Sequence, residues 1–344
     1  MNALTVKKGS AMKKKRLSFV WAAGVLACAV AIAKAPLPSP AALYAGPRSS
    51  DAATAAKTLR SPMAIAIGQE IQLDVPYVPT RFPVVEEMLK MAGVTKADVV
   101  YDLGCGDGRI VITAAQRYGC RGVGFDIDPE RIRECLENAQ KAGVTERVKF
   151  IEGDLFQADF HEATVLPMYL LTTVNLRLRP KILRELQPGS RVVSHNFAMD
   201  NWKPDAHTEL KVEDVPHDVY LWIVPANVSG TWTWTATPGP GAAAIEFKMD
   251  VTQKFQFPEA AVKLNGVDAA VNNLKLRGDK ISFILEAPLQ GKTMALSFEG
   301  QAFNNDISGT IQGRLDGRDV SLAWKAARNP ATIKAIDDEP AWWN

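Results

Sequence analysis

Metal and disulfide chemistry find little to work with in this chain of 344 residues, which holds four cysteines and four histidines. Cys28, Cys105, Cys120 and Cys135 form no CxxC pair and stand in no His-rich spacing, which argues against a metal site. Cys28 falls in an apolar leader, so three cysteines remain for the folded part, an odd number that supports no disulfide framework. A large charge of either sign is also missing, the formal balance being +2. Residues 1–35 hold seven cations and no acid, which leaves −5 for the rest. That part lacks the basic footprint of a general nucleic-acid binder.

What is present divides the chain into stretches of different texture. Lys13-Lys14-Lys15-Arg16 precedes an apolar run over residues 17–33, the pattern of a signal peptide or N-terminal membrane anchor. Ala33-Lys34-Ala35 offers a cleavage site, with a second after Ala45, and Val25-Leu26-Ala27-Cys28 is a loose lipobox for lipidation at Cys28. An uncleaved anchor is the third outcome, the 17 apolar residues standing at the short limit for a span. Residues 1–35 are therefore expected to export or anchor the chain, unless its start is misassigned. Residues 36–73 read as a flexible linker, its first part rich in Ala, Pro, Ser and Gly. In Asp74-Val75-Pro76-Tyr77-Val78-Pro79-Thr80 two prolines fix an extended path into a one-faced helix over residues 82–92, stopped by Gly93.

From Val99 the pattern alternates. Strands are predicted over 99–102, 122–126, 148–152, 163–169 and 191–197. Helices are predicted over 108–118, from Pro129 with Asp128 as N-cap and Gly143 past its end, and from Pro180 to 186. Strands separated by helices mean βαβ units and a parallel sheet over residues 74–226. An antiparallel pair, 208–212 and 219–224 joined by Pro216-His217, closes it. Residues 227–330 alternate strictly, as in Gly230-Thr231-Trp232-Thr233-Trp234, with turns such as Asn265-Gly266. They predict a meander of roughly eight short strands, a small barrel or sandwich. The tail, 331–344, looks frayed.

The chain is organised around Val99-Val100-Tyr101-Asp102-Leu103-Gly104-Cys105-Gly106-Asp107-Gly108-Arg109-Ile110. It reads as a buried strand, a tight glycine loop and a helix N-terminus, which together bring bare backbone N–H groups against a ligand. A dinucleotide fold requires a third glycine where this chain has Arg109, so that pattern fails. Asp102 ahead of the loop suits a ligand with an ammonium and a carboxylate. Asp126 ends the second strand 22 residues after Gly104, where a carboxylate accepts both ribose hydroxyls. Gly153-Asp154-Leu155 ends the third, where the acid or its neighbour meets an adenine amine. Three acids at successive strand ends on one lip make a nucleoside pocket, although each alone could be a helix-capping Asp.

The loop, Gly124-Phe125-Asp126, Gly153-Asp154 and the terminal strand pair resemble the class I, seven-strand S-adenosylmethionine-dependent methyltransferases over about residues 75–225. Pro76-Tyr77-Val78-Pro79 ahead of the loop is similar to the family of the ATP synthase c-subunit lysine methyltransferase and its bacterial relatives. The resemblance implies an α/β fold, a Rossmann-like seven-strand sheet with an antiparallel last strand, followed by the β domain. It implies S-adenosyl-L-methionine as cofactor, with Asp102, Gly104, Cys105, Gly106 and Gly108 at the methionyl end. Asp126 with Ile127 would meet the ribose and Asp154 with Leu155 the adenine, and the extended Pro76 to Thr80 segment, with Tyr77 as a cofactor residue, would close over the methyl donor. An Asn/Asp-Pro-Pro-Tyr signature is absent, replaced by Pro167-Met168-Tyr169-Leu170-Leu171, which weakens the case for an amide or nucleobase acceptor. Tyr77, Tyr169, Asn175 and His195 are the candidate catalytic residues near the lip, any of which could instead be structural.

The function expected is N-methylation of a protein lysine by in-line transfer, the protein substrate being membrane or envelope material recruited by the β domain. No nucleic acid or metal is expected as partner. Two readings stand beside it: an exported binding module with an inactive methyltransferase-like domain, and a small-molecule methyltransferase with the β domain as lid. An active enzyme would face the cytosol, where the donor is made.

Overall fold

The computed structural model describes residues 77–289, 292–315 and 318–337. The expectations for the leader, for Cys28, for the linker and for Pro76 lie outside the described residues, and no helix among those described is long and apolar enough to cross a membrane.

Helix α1 (Phe82–Met91) buries Val84, Val85, Met88 and Leu89, the stripe its spacing predicts. Strand β1 (Val99–Leu103) is buried along its whole length, as a central parallel strand must be. Then follow α2 (Arg109–Tyr118), β2 (Arg121–Asp126), α3 (Pro129–Ala142), β3 (Val148–Glu152), β4 (Val165–Met168), α4 (Thr172–Glu185), β5 (Arg191–His195), β6 (Ala206–Val212) and β7 (Val215–Ile223). The sheet order is β3-β2-β1-β4-β5-β7-β6, with β7 antiparallel to β5 and β6 to β7. The strand order reverses between β1 and β4, which opens a crevice at the carboxyl ends of the strands.

Two local expectations are corrected. Helix α4 starts at Thr172, not at Pro180, which sits in its interior. Val174, Leu178 and Ile182, buried at four-residue intervals, carry the helix through the missing amide of Pro180. The last hairpin turns at Glu213-Asp214, both at positive φ (52° and 64°), rather than at Pro216-His217. Pro216 lies within β7 opposite Lys211, on the part of the strand that has run past the last rung of β5, so its missing N–H breaks no ladder there.

Beyond the sheet, β8 (Gly230–Ala236), β9 (Ile245–Lys254), β10 (Phe257–Leu264), β11 (Val267–Arg277), β12 (Lys280–Leu289), β13 (Lys292–Phe303), β14 (Asp306–Leu315) and β15 (Arg318–Arg328) form a closed antiparallel barrel. Alternate residues fill its interior, and the ring pairs Phe283–Phe298 (4.6 Å between centroids) and Trp234–Phe247 (5.0 Å) occupy the middle.

The barrel is seated on the sheet by packed contacts. Phe255, at the β9–β10 turn, enters the core layer that holds Trp202 and Trp222 and stacks on Trp202, whose indole N–H donates to Gln256 Oε1 at 3.0 Å. The chain after β15 returns to the sheet instead of fraying at Ala331: Ile336 is buried and Asp337 accepts from Arg179 of α4 at Nε (2.8 Å) and Nη2 (3.1 Å). Chain connectivity puts this junction away from the lip, because β7 leaves the sheet at Ile223, opposite Arg191 at the start of β5. The Ala226 N–H then donates to Gly278 of the β11–β12 turn at 2.8 Å. A barrel entered from that end of the strands is no lid over their carboxyl ends.

Arg179→Ala is expected to destabilise the chain by about 3–5 kcal/mol, because it leaves a buried carboxylate unpaired. Urea unfolding of this variant, of Asp337→Ala and of the double variant checks it, the double costing less than the two singles together.

Candidate active site

The crevice is built around the loop that leaves β1. The Gly104 and Cys105 N–H groups donate to the Phe125 carbonyl at 2.8 and 2.9 Å, and the Gly106 N–H donates to Asp126 Oδ2 at 2.8 Å. The other Asp126 oxygen accepts from the Asp128 N–H at 3.0 Å, and Asp128 in turn caps α3 by accepting from Glu130 N–H at 2.8 Å. Glycine is required at two of the turns. Gly106 has φ +56° and a Cβ there would lie 2.4 Å from the Tyr77 ring; Gly108 has φ +77° and a Cβ would lie 2.8 Å from Phe150 and 2.9 Å from Cys135. The loop is thus clasped between Tyr77 on one side and the β3–α3 layer on the other.

Arg109, the residue that breaks the dinucleotide pattern, ties this loop to the segment ahead of α1. Its guanidinium donates to both oxygens of Asp107, at 2.8 and 2.6 Å, and from Nη1 to the Thr80 carbonyl at 2.9 Å. Arg131 of α3 lies 4.7 Å from the Tyr77 ring centre. Tyr77, Val78, Pro79 and Thr80 therefore form one wall of a cavity, with the glycine loop, Asp126, Ile127, Gly153, Asp154, Leu155, Tyr169 and Leu170 as the others.

The cavity is acidic on its loop side. Burial, and then the neighbouring Asp126 and Asp107, push the Asp102 carboxyl well above the usual carboxylate range. Burial also raises Asp126, against the two N–H groups it accepts from. Burial acts in the same direction on Asp107, but the Arg109 fork outweighs it and holds that carboxyl low. A desolvated acid beside two others is a site that a positively charged ligand relieves.

Of the residues singled out in the sequence, Tyr77, Asp102, Gly104, Cys105, Gly106, Asp126, Ile127, Asp154 and Leu155 are brought to this cavity, as is Tyr169. Gly108 stands behind it as the residue preceding α2. His195 lies one layer back, 1% exposed, with its ring 3.9 Å from that of Tyr169. Asn175 is not brought to the cavity. It is fully buried in α4, and its amide donates to the Phe197 carbonyl at 3.0 Å. Sequence reasoning reached Thr80 and Asp107 only as members of the segment and the loop, and missed Arg109 and Arg131 as lining residues and His217, which pairs with His195 Nε2 at 2.8 Å. The position of Arg109 in the loop was the one available signal; His217 had none, being placed by the register of β7 on β5.

A family model, the ANTKMT methyltransferase domain, matches residues 102–206. A protein-lysine N-methyltransferase of Saccharolobus islandicus is 50% identical over 151 residues, covering 44% of this chain and 94% of that protein. The chain belongs to this methyltransferase family. The ATP synthase c-subunit lysine N-methyltransferase of Xenopus laevis is 33% identical over 134 residues, 39% of this chain, and the match spans 58% of that relative. Among solved structures, an RNA methyltransferase from Salinibacter ruber in complex with S-adenosyl-L-homocysteine is 50% identical, with 44% of this chain and 96% of that one covered and a TM-score of 0.41.

S-Adenosylmethionine, the donor of this methyltransferase, fits the residues present: it brings an ammonium and a sulfonium to a cavity in which burial and the neighbouring Asp126 and Asp107 hold the Asp102 carboxyl high. Gly106→Ala is expected to weaken S-adenosylhomocysteine binding at least tenfold in calorimetry, because the new methyl meets Tyr77, and Tyr77→Ala in that background should restore part of the loss. At pH values low enough to leave Asp102 protonated in the free protein, binding should also release a proton. Asp102, raised in the free protein, becomes ionised against the ligand's ammonium, so affinity falls as the pH drops through the raised Asp102 value. Calorimetry in buffers of different ionisation enthalpy reads that proton directly, and an uptake instead of a release would contradict the assignment.

Proposed function

We propose that this enzyme N-methylates lysine side chains of a protein. The observation that carries the reading is the protein-lysine N-methyltransferase of Saccharolobus islandicus, 94% of whose length is matched at 50% identity. Asp102 and the amides of the glycine loop would hold the methionyl end of the donor, Asp126 and Ile127 the ribose, and Asp154 and Leu155 the adenine edge. Bound there, S-adenosylmethionine supplies a methyl group on a sulfonium, open to in-line displacement by a nitrogen lone pair. Tyr77, Thr80 and Tyr169, which line the cavity beside the loop, would receive the aminoalkyl chain and exclude water from it. An amine reacts only when neutral, so the ammonium must lose a proton inside the site.

The negative balance of the chain beyond its leader supports a protein over an RNA acceptor. The N-terminal apolar segment would export or anchor the chain, the catalytically active form being the anchored one that faces the cytosol, where the donor is made. The barrel would contribute to recruiting a protein, and not by covering the site.

Incubation with labelled S-adenosylmethionine, poly-L-lysine and, separately, total RNA tests the acceptor. Label is expected on ε-amino groups and not on RNA. Asp126→Ala should lower kcat/KM about a hundredfold or more, since it removes both the ribose partner and the anchor of Gly106. Labelled RNA beside unlabelled polylysine would overturn the proposal.

A further inference from the structure

One group of polar side chains behind the cavity has no part in holding the donor. Thr80 lines the cavity, and its Oγ1 stands 3.4 Å from His195 Nδ1. His195 Nε2 stands 2.8 Å from His217 Nδ1. His195 is buried at the end of β5, flat against Tyr169 at 3.9 Å between ring centres, whereas His217 is half-buried on the stretch of β7 that runs past β5. The three residues come from the segment ahead of α1, from β5 and from β7, and they make one line from the acceptor wall to the outside of the β6–β7 hairpin.

We propose that Thr80, His195 and His217 form a relay that takes the proton shed by the acceptor ammonium out of the cavity. The inference rests on the amine-methylation reading above. Methylation of a lysine ammonium releases one proton for each methyl transferred, the product being again an ammonium, so the site needs an exit for it. In the relay the ammonium gives its proton to Thr80 Oγ1 as the Thr80 hydroxyl proton passes to His195 Nδ1. The proton of His195 Nε2 then moves to His217 Nδ1, and that of His217 Nε2 goes to solvent. With the cavity open and hydrated between turnovers, the same hops run backwards and restore the starting tautomers.

The surroundings suit a neutral relay. The groups facing His195 are His217 and Asp218 of β7, Tyr169 beyond β4, and Thr80, whose carbonyl holds Arg109 of α2. Asp218 is engaged with His207 of β6 at 2.6 Å. Burial, followed by the neighbouring His217, lowers His195 to about 4, so it is uncharged at neutral pH and has one bare nitrogen to receive with and one N–H to pass on.

Two measurements test this. The first needs no acceptor: the ring 15N shifts of histidine-labelled enzyme should show His195 neutral with Nε2 protonated and Nδ1 bare, and the opposite tautomer would overturn the relay. The second uses poly-L-lysine. Thr80→Val and His217→Phe should each lower kcat at pH 7.5 at least about tenfold, with the KM for S-adenosylmethionine unchanged and Thr80→Ser close to wild type. The deficit should shrink to within about twofold near pH 10.4, where about half of the acceptor arrives neutral. A deficit that stays constant with pH marks a merely structural role, and no deficit rejects the relay; polylysine left unmethylated by the wild type would instead reject the amine reading.

Discussion

The hydrogen bond from the Gly106 N–H to the Asp126 carboxylate is the constraint on which the site depends. It fastens the loop after β1 to the end of β2, so the strand ends and the helix N-terminus of α2 become one surface. Asp126 is thereby both a strut and a wall of the cavity, and its second oxygen sets the start of α3 through Asp128. The cost is electrostatic: holding this acid beside Asp102 in a desolvated place keeps both carboxyls easier to protonate than usual.

That cost divides the cavity into two chemical halves. The loop half carries carboxylates and turns toward a cation. The other half, made by Tyr77 against the loop itself, by Thr80 and by Tyr169, is aromatic and hydroxylic, and is backed by an imidazole that burial keeps uncharged. A neutral ring behind Tyr169 puts no positive charge in the way of an incoming ammonium. The cations near the cavity are held off by partners, Arg109 on Asp107 and the Thr80 carbonyl, Arg131 on the Tyr77 ring and Glu134.

Much of this was legible in the residues themselves. The glycine loop, Asp126 and Asp154 are local signals, each written at a strand end, and the sheet and a small barrel or sandwich follow from alternation and from the change of texture after Pro225, closure into a barrel being settled only by the strand pairing. What was not legible depends on register and on distant return of the chain. His217 reaches His195 because Val219, and not a residue nearer the turn, pairs with it. The hairpin turn was misplaced because Pro216 looks like a turn residue unless one knows that β5 has already ended. Asp337 looked like part of a loose tail because nothing local shows that Arg179 waits for it 158 positions earlier.

Closure of the barrel has a further consequence for a chain so rich in strands. Fifteen strands would ordinarily present several unpaired edges, each a template for pairing with another molecule. Here eight of them pair in a ring, and the sheet ends only at β3 and β6. Both are short and carry charge, Lys149 and Glu152 on one, Glu209 and Lys211 on the other. The sheet therefore meets solvent along two small, charged borders, where strand-to-strand aggregation is disfavoured.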